Sequence, residues 1–240
     1  MVALLHQFKK EIGILLRSIK GLVVKQKSFI EEWAFQHGFD KNRNKYCLKK
    51  SYKNITQEDY CDVRDSKWDS YQDVVYSEAK AYFVQKKLNS ILDIGCGSGF
   101  KLIKYFGQYN FSGTEVEPTL SSLKKKYPDH AWYLSDFKCP PKRSFDMVIA
   151  VDVIEHLFEP DNLLEYINNI DCQYILLSTP ERDKLGYSIF RHNGPPRNPF
   201  HIREWNQWEF KAYISKFFQI LESGVVSGIN HYVICRKRES

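Results

Sequence analysis

The sequence predicts an α/β fold in which helices cover both faces of a mostly parallel, doubly wound sheet. Short apolar strand-like runs alternate with helical patterns between Ser90 and Ser178. The first of these runs passes straight into a glycine turn, Gly95-Cys96-Gly97-Ser98-Gly99. Acids follow at the ends of successive strands, with Asp93, Glu115 and Asp136 each in that place. A strand that feeds a turn and then a helix is the unit from which parallel sheets are assembled.

The elements follow in order. Leu4, Leu5, Phe8, Ile12, Leu15, Leu16, Ile19 and Val23 recur at helical spacing, so residues 2 to 36 read as an amphipathic helix whose other face carries Lys9, Lys10, Arg17, Lys20, Lys25 and Lys27. From Gly38 to about Asp69 the pattern dissolves, with a short helix expected after Thr56. Val74, Val75, Ala79, Tyr82 and Phe83 line one side of a helix over 70–87. Strands are expected at Ser90 to Ile94, near 111 to 116, at Trp132 to Leu134, at Met147 to Val151 and at Tyr174 to Ser178. Helices lie between them around Leu102 to Phe106, from Glu117 or Pro118 to about Tyr127 with proline in the first turn, and from Leu163 to Ile170. Pro180, Gly186, Gly194, Pro195, Pro196 and Pro199 suppress regular structure from Thr179 to Arg203. A loop of that length in a compact domain points to function, so residues 180–204 are read as a lid or acceptor-binding loop. A helix from Trp205 to Ser215, carrying Trp205 and Trp208 as core residues, and two strands over Phe217 to Ser223 and Ile229 to Arg236 close the chain.

The chain has 240 residues, 43% of them hydrophobic and 27% charged, with 12 Gly and 9 Pro, which excludes collagen-like and wholly disordered classes. Its net charge of +6 favours loose attraction to anionic surfaces without naming a partner. Cys47, Cys61, Cys96, Cys139, Cys172 and Cys235 show no CxxC pair, so reduced thiols in a cytoplasmic protein are expected. No run approaches the roughly 18 apolar residues of a membrane span, and Lys9, Lys10 and Glu11 interrupt the N-terminal apolar residues, which argues against a signal peptide.

Glycines between a buried strand and a helix let the backbone turn sharply and approach a ligand, while the helix start offers amide donors. The spacing G-x-G-x-G departs from the G-x-G-x-x-G of dinucleotide sites, and Asp93, two residues before Gly95, would repel a pyrophosphate but suit a ligand ammonium. Glu115 is placed to accept both ribose hydroxyls of an adenosine. Asp136 is placed to accept from the adenine amino group while Phe137 covers the ring.

This constellation resembles the class I S-adenosylmethionine-dependent methyltransferases over roughly residues 75 to 236. Ile91 to Gly99 is similar to the family's first motif nearly letter for letter, and Phe145-Asp146-Met147-Val148-Ile149-Ala150-Val151 to its fourth strand. The resemblance implies a Rossmann-like, seven-stranded sheet whose last strand is antiparallel. It implies S-adenosylmethionine as cofactor, held by Asp93, Gly95, Cys96, Gly97, Gly99, Glu115, Val116, Asp136, Phe137 and Val151. Residues 1–69 fall outside it as an N-terminal helical extension or cap, and 70–240 form the methyltransferase domain.

Val151-Asp152-Val153-Ile154-Glu155-His156-Leu157 resembles the V-x-E-H region of the small-molecule branch, which includes quinone-biosynthesis and sugar O-methyltransferases. His156, with an ordinary pKa near 6.5, suits a general base for a hydroxyl acceptor. Equally, Glu155 and His156 could stabilise their loop and contact the cofactor. A third and less favoured reading is implied by the resemblance, because some family members hold a divalent metal with an acid-x-x-Glu-His array and a distant His: here Asp152, Glu155 and His156 with His192 or His201 around Mg²⁺ or Mn²⁺. The segment from Ser178 to Asp183 and from Arg191 to Trp205 is similar to the T-P-x-R, G-P-x-N and H-x-R-E-W pattern of bacterial methyltransferases of polysaccharide and secondary-metabolite synthesis. There His201, Arg203 and Glu204 are expected to organise the loop, with His201 a second base candidate.

The favoured expectation is methyl transfer to a hydroxyl of a small molecule or glycan intermediate. The alternatives are N-methylation of a small molecule and RNA methylation, with no DNA partner. The basic amphipathic helix is expected to pack beside the acceptor cleft, with a homodimer or weak contact at the inner membrane surface as its other uses.

Overall fold

The computed structural model describes residues 70–185 and 198–239, together with Asp62, Lys67 and Pro196. The expected helices at 2–36 and after Thr56, nearly all of the proposed extension, His192 and residues 186–195 and 197 of the proposed lid lie outside the described residues.

A single 3-10 turn, Ser70–Gln72, leads into α1 (Asp73–Gln85). Then come β1 (Ser90–Ile94), α2 (Phe100–Phe106), β2 (Asn110–Glu115), α3 (Thr119–Lys126), β3 (Ala131–Leu134) and β4 (Phe145–Val151). After a 3-10 turn at Ile154–His156 follow α4 (Pro160–Asn169), β5 (Cys172–Pro180) and a turn at Arg182–Lys184. The chain ends with α5 (Gln207–Ile214), β6 (Phe218–Val226) and β7 (Asn230–Lys237). Seven strands form one sheet in the order β3-β2-β1-β4-β5-β7-β6. Strands β1 to β5 pair in parallel, and β7 runs antiparallel to both β5 and β6. The sheet is therefore the one expected, including its antiparallel last strand.

Alternation along the central strands divides the core into two layers. Leu92, Ile94, Val148 and Ala150 face α4 and α5, packing with Leu163, Ile167, Phe210 and Ile214. Ile91, Met147, Ile149 and Val151 face the other side, with Val75, Phe83, Leu102, Phe106 and Leu123 of α1 to α3. Asp93 shares the parity of Ile91, which aims its carboxylate at the α1 layer. The apolar runs of β1 and β4 are continuous because both of their faces are covered.

Several element ends move from where local patterns place them. Strand β5 takes in Thr179 and Pro180, expected in the loop, because β7 pairs with them at His231 and Asn230. Pro118 sits just before α3, and Pro160 opens α4. Trp205 precedes α5, whose start is set by a capping box between Asn206 and Glu209. Trp205 is core, stacked on Tyr213, but Trp208 is 37% exposed, which corrects the expectation of two core tryptophans. No helix among the described residues is long and apolar enough to cross a membrane. Cys96, Cys139, Cys172 and Cys235 are free thiols.

The β1–β2 junction is tight, because a Cβ on Gly113 would lie 2.6 Å from both Cys96 Sγ and the Trp132 ring. We expect Gly113→Ala to destabilise the protein by about 1–3 kcal/mol through overpacking, read from the shift of the urea midpoint.

Candidate active site

The strand order reverses between β1 and β4, so the turns leaving their carboxyl ends diverge and leave a crevice. The glycine turn lines it. Gly95 has φ +72° and Gly97 φ +57°, conformations that a side chain strains. A Cβ on Gly95 would also lie 2.7 Å from the Val153 side chain. The amides of Gly95 and Cys96 both donate to the carbonyl of Thr114 in β2, at 2.9 and 3.2 Å. Cys96 is buried against Gly113 and Trp132, so its thiol serves the core and only its backbone faces the turn. Gly99 is the residue from which α2 begins.

Asp93 is fully buried. Its Oδ2 accepts a 2.7 Å hydrogen bond from the Tyr76 hydroxyl, whereas its Oδ1 has no partner. Burial pushes its pKa from 3.8 up to about 8, the Tyr76 hydrogen bond and Lys101 oppose the rise, and the neighbouring Glu115 carboxylate adds to it. Glu115 closes the other side of the turn: Oε2 accepts from the Gly97 amide and Oε1 from the Val116 amide, each at 2.8 Å. The acid expected at a ribose thus also ties β2 to the glycine turn.

Asp136 accepts from the amides of Lys138 and Cys139 through Oδ1 alone, and the Lys138 hydrogen bond leads in holding its pKa below the usual carboxylate value. Phe137, at φ +55°, turns its ring edge-on to Tyr166 at 5.7 Å. Val116 is half-buried, and Val151 is buried in the α1-side core at the end of β4.

Across the crevice, β4 ends in Asp152 at φ +54°, and the turn Ile154–His156 follows. Asp152 turns away from its neighbours in sequence: Oδ1 accepts from the Ser178 hydroxyl at 2.6 Å and Oδ2 from the Asn230 amide group at 3.0 Å. It stands outside the group of metal-competent side chains, which corrects the acid-x-x-Glu-His array that the resemblance implies. The side chains that do converge are Glu155, His156 and His201, with ligand atoms all within 4.8 Å of one another. Glu155 is fully buried, and neither carboxylate oxygen has a hydrogen-bond partner. Burial, with Asp152 and Glu204 adding to it, raises its pKa well above the ordinary value.

The two histidines are oriented alike. His156 Nδ1 donates to the Phe200 carbonyl at 2.9 Å, because a carbonyl can only accept. His201 Nδ1 lies 2.7 Å from Glu204 Oε1, and its Nε2 lies 2.9 Å from the Asn198 side-chain nitrogen. The Asn198 oxygen accepts from the Phe200 amide, so its nitrogen is the donor to Nε2. In both rings the proton sits on Nδ1 and the basic nitrogen is Nε2. The rings meet edge to face with centroids 4.9 Å apart.

Backbone contacts bring this cluster together. The Glu155 carbonyl accepts from the Ile202 and Arg203 amides at 2.8 and 3.4 Å, and Arg203 donates to the Phe158 carbonyl. Buried Arg182 pairs with Glu209 at 2.8 Å, and the Glu181 carboxylate accepts from the Gln207 amide. Both ends of the proposed lid are thereby anchored. Sequence reasoning missed Tyr76, Ser178 and Asn230. Tyr76 sits among the apolar residues of α1, and nothing local marks its hydroxyl as the partner of an acid 17 residues later.

A family model described as a methyltransferase domain matches residues 68–223. None of the curated proteins matches the chain. Among solved structures, the PH0226 protein from Pyrococcus horikoshii OT3 is 14% identical with a TM-score of 0.59, over 76% of this chain and 97% of that one. An S-adenosylmethionine-dependent methyltransferase from Clostridium acetobutylicum is 12% identical with a TM-score of 0.56, over 74% of this chain and 97% of that one. The N-methyltransferase NodS from Bradyrhizobium japonicum, in complex with S-adenosyl-L-homocysteine, is 10% identical with a TM-score of 0.55, over 78% of this chain and 95% of that one. These structures share the fold.

The raised Asp93 pKa has a definite sign in stability. Between 3.8 and about 8 the folded protein holds a proton that the unfolded chain has released, so Asp93 lowers stability as pH rises through that window and has no further effect above it. We expect Asp93→Asn to remove part of this slope, so that its stability gains on the parent's from pH 5 to pH 8 in urea unfolding. Parallel curves for the two proteins would refute the assignment.

Proposed function

The chain belongs to the methyltransferase-domain family, and from that premise we propose that it moves a methyl group from S-adenosylmethionine to a hydroxyl of a small molecule or glycan intermediate. The observation that carries the oxygen acceptor is the tautomer of His156. With its proton on Nδ1, the ring presents a basic nitrogen beside the crevice, where a hydroxyl must lose a proton as it is methylated.

The residues present fit the cofactor. Asp93 Oδ1 is a buried acceptor with no partner, suited to a ligand ammonium, and the turn at Gly95 and Gly97 leaves its backbone open to close approach. Glu115 ends β2 beside the glycine turn, where its carboxylate would accept from ribose hydroxyls, and Asp136 Oδ2 would accept from an adenine amino group. S-adenosylmethionine supplies a methyl carbon on a cationic sulfur, whose carbon–sulfur bond breaks with its electron pair going to sulfur. The chain's own work is to align acceptor oxygen, methyl carbon and sulfur, to exclude water and to draw the acceptor proton toward the Glu155, His156 and His201 cluster. We read residues 180–204 as the wall that closes over the acceptor, held at its ends by the Arg182–Glu209 pair and the Glu155 carbonyl.

Calorimetry with S-adenosylmethionine and S-adenosylhomocysteine tests the cofactor assignment, and we expect both to bind and Gly97→Val to abolish binding. At pH 7 the cationic ligand should displace the Asp93 proton, so the binding enthalpy should vary with the ionisation enthalpy of the buffer. No binding of either ligand to folded protein at millimolar concentration would refute the assignment. Glutamine at His156 or His201 should leave cofactor affinity unchanged and lower turnover by about 10²-fold or more. Undiminished turnover in both variants would remove the histidines from the chemistry.

A further inference from the structure

We propose that the acceptor is a vicinal amino alcohol, such as an amino sugar, whose ammonium is held by Glu155 while the hydroxyl on the next carbon meets His156. The inference rests on the methyl-transfer reading and names the substrate class of that same site.

Glu155 supplies the cation-binding half. It is fully buried, and neither carboxylate oxygen has a hydrogen-bond donor among the described residues. Burial first, and then the acids Asp152 and Glu204, lift its pKa well above the ordinary value. A buried acid in the company of acids is costly unless a cation compensates it. The buried arginines of this region are engaged elsewhere: Arg182 pairs with Glu209 at 2.8 Å, and Arg203 donates to the Phe158 carbonyl. A ligand ammonium brings to Glu155 both a positive charge and N–H donors, the combination that makes charge-assisted hydrogen bonds strong.

The other half lies 3.9 Å away, the distance from Glu155 Oε1 to His156 Nε2. That spacing suits donors on neighbouring carbons, because a staggered gauche amino alcohol sets its nitrogen and oxygen roughly 3 Å apart. One ligand therefore reaches both acceptors with hydrogen bonds of ordinary length, about 2.7–3.0 Å. The His156 side chain is 37% exposed and Glu155 is buried, so the hydroxyl lies toward solvent and the ammonium at the inner end. His201 stands beside the pair, its ring edge to face with His156 and held by Glu204 and Asn198.

The same pairing selects the atom that is methylated. An ammonium has no lone pair, so a nitrogen held at Glu155 does not attack. The hydroxyl oxygen forms the new bond to the methyl carbon, its proton goes to His156 Nε2, and the carbon–sulfur electron pair leaves with sulfur.

The test uses the full chain saturated with S-adenosylhomocysteine, in buffer containing a chelator so that no metal ion carries the binding. It is titrated by calorimetry at pH 6 with 2-amino-2-deoxyglucose, glucose and 2-acetamido-2-deoxyglucose. We expect the amino sugar to bind about 10- to 100-fold more tightly than the other two, and Glu155→Gln to erase that preference at unchanged S-adenosylhomocysteine affinity. The ammonium should also displace the Glu155 proton, so the binding enthalpy should vary with the ionisation enthalpy of the buffer. If Glu155→Gln misfolds and loses S-adenosylhomocysteine as well, this measurement on the parent decides, and a constant enthalpy overturns the proposal. Equal affinity for the three sugars, no binding of the amino sugar, or a preference that survives in folded Glu155→Gln would also overturn it. If S-adenosylhomocysteine fails to bind while the preference and its loss in Glu155→Gln hold, the methyl-transfer reading falls and the ammonium site stands.

Discussion

Desolvated carboxylates crowd the carboxyl edge of this sheet, and the need to satisfy each of them shapes everything around the crevice. Asp93, Glu115, Asp152, Glu155 and Glu181 are all buried there. An unpaired charge in such a place costs several kcal/mol, so each acid either finds donors or keeps its proton. Asp93 takes the Tyr76 hydroxyl, Glu115 two backbone amides, Asp152 Ser178 and Asn230, and Glu181 the amide that starts α5. Apart from the one from neighbouring Val116, these bonds fasten α1, the glycine turn, β5, β7 and the start of α5 to one platform. Glu155 is the member of the set whose oxygens find no donor.

The edge divides into two halves with different means of holding a ligand. On the β1–β2 side the chain offers backbone close to the ligand, with glycines at positive φ and acids whose partners are mostly main-chain amides. Such groups are set by the sheet and move little. On the β4–β5 side the offering is side chains on turns, oriented by carbonyls and acids from the segment after the long loop. The hydrogen bonds from the Ile202 and Arg203 amides to the Glu155 carbonyl bring His201 to His156 across 45 residues of chain. A fixed half and a loop-built half suit a fold whose frame is constant while the side chains on its loops vary.

Local chemistry carries much of this architecture. The apolar runs of β1 and β4, the glycine turn after Asp93 and the acids closing β2 and following β3 are each written within a few consecutive residues, and the structure puts these elements in the expected order around the crevice. Element ends were less legible, since Thr179 and Pro180 look like a loop and become strand only because β7 pairs with them. The two tryptophans near α5 look alike in sequence, yet one stacks on Tyr213 and the other faces solvent, a difference set by where the Asn206 cap starts the helix.

By itself the sequence determined the parallel α/β sheet, the glycine turn and the acids at the strand ends, because those depend on periodicity, backbone sterics and strand-end position within short windows, while the antiparallel last strand came from the family resemblance. Only the tertiary structure decided which acids meet which donors. The resemblance grouped Asp152 with Glu155 and His156, but a residue at φ +54° turns its carboxylate to Ser178 and Asn230. Spacing left His192 and His201 as equal candidates, and the chain path after the long loop put His201 against His156. The physical reason is range: side-chain direction at a turn, and partners 17 to 78 residues apart, are fixed by packing and desolvation across the whole domain rather than by any local pattern.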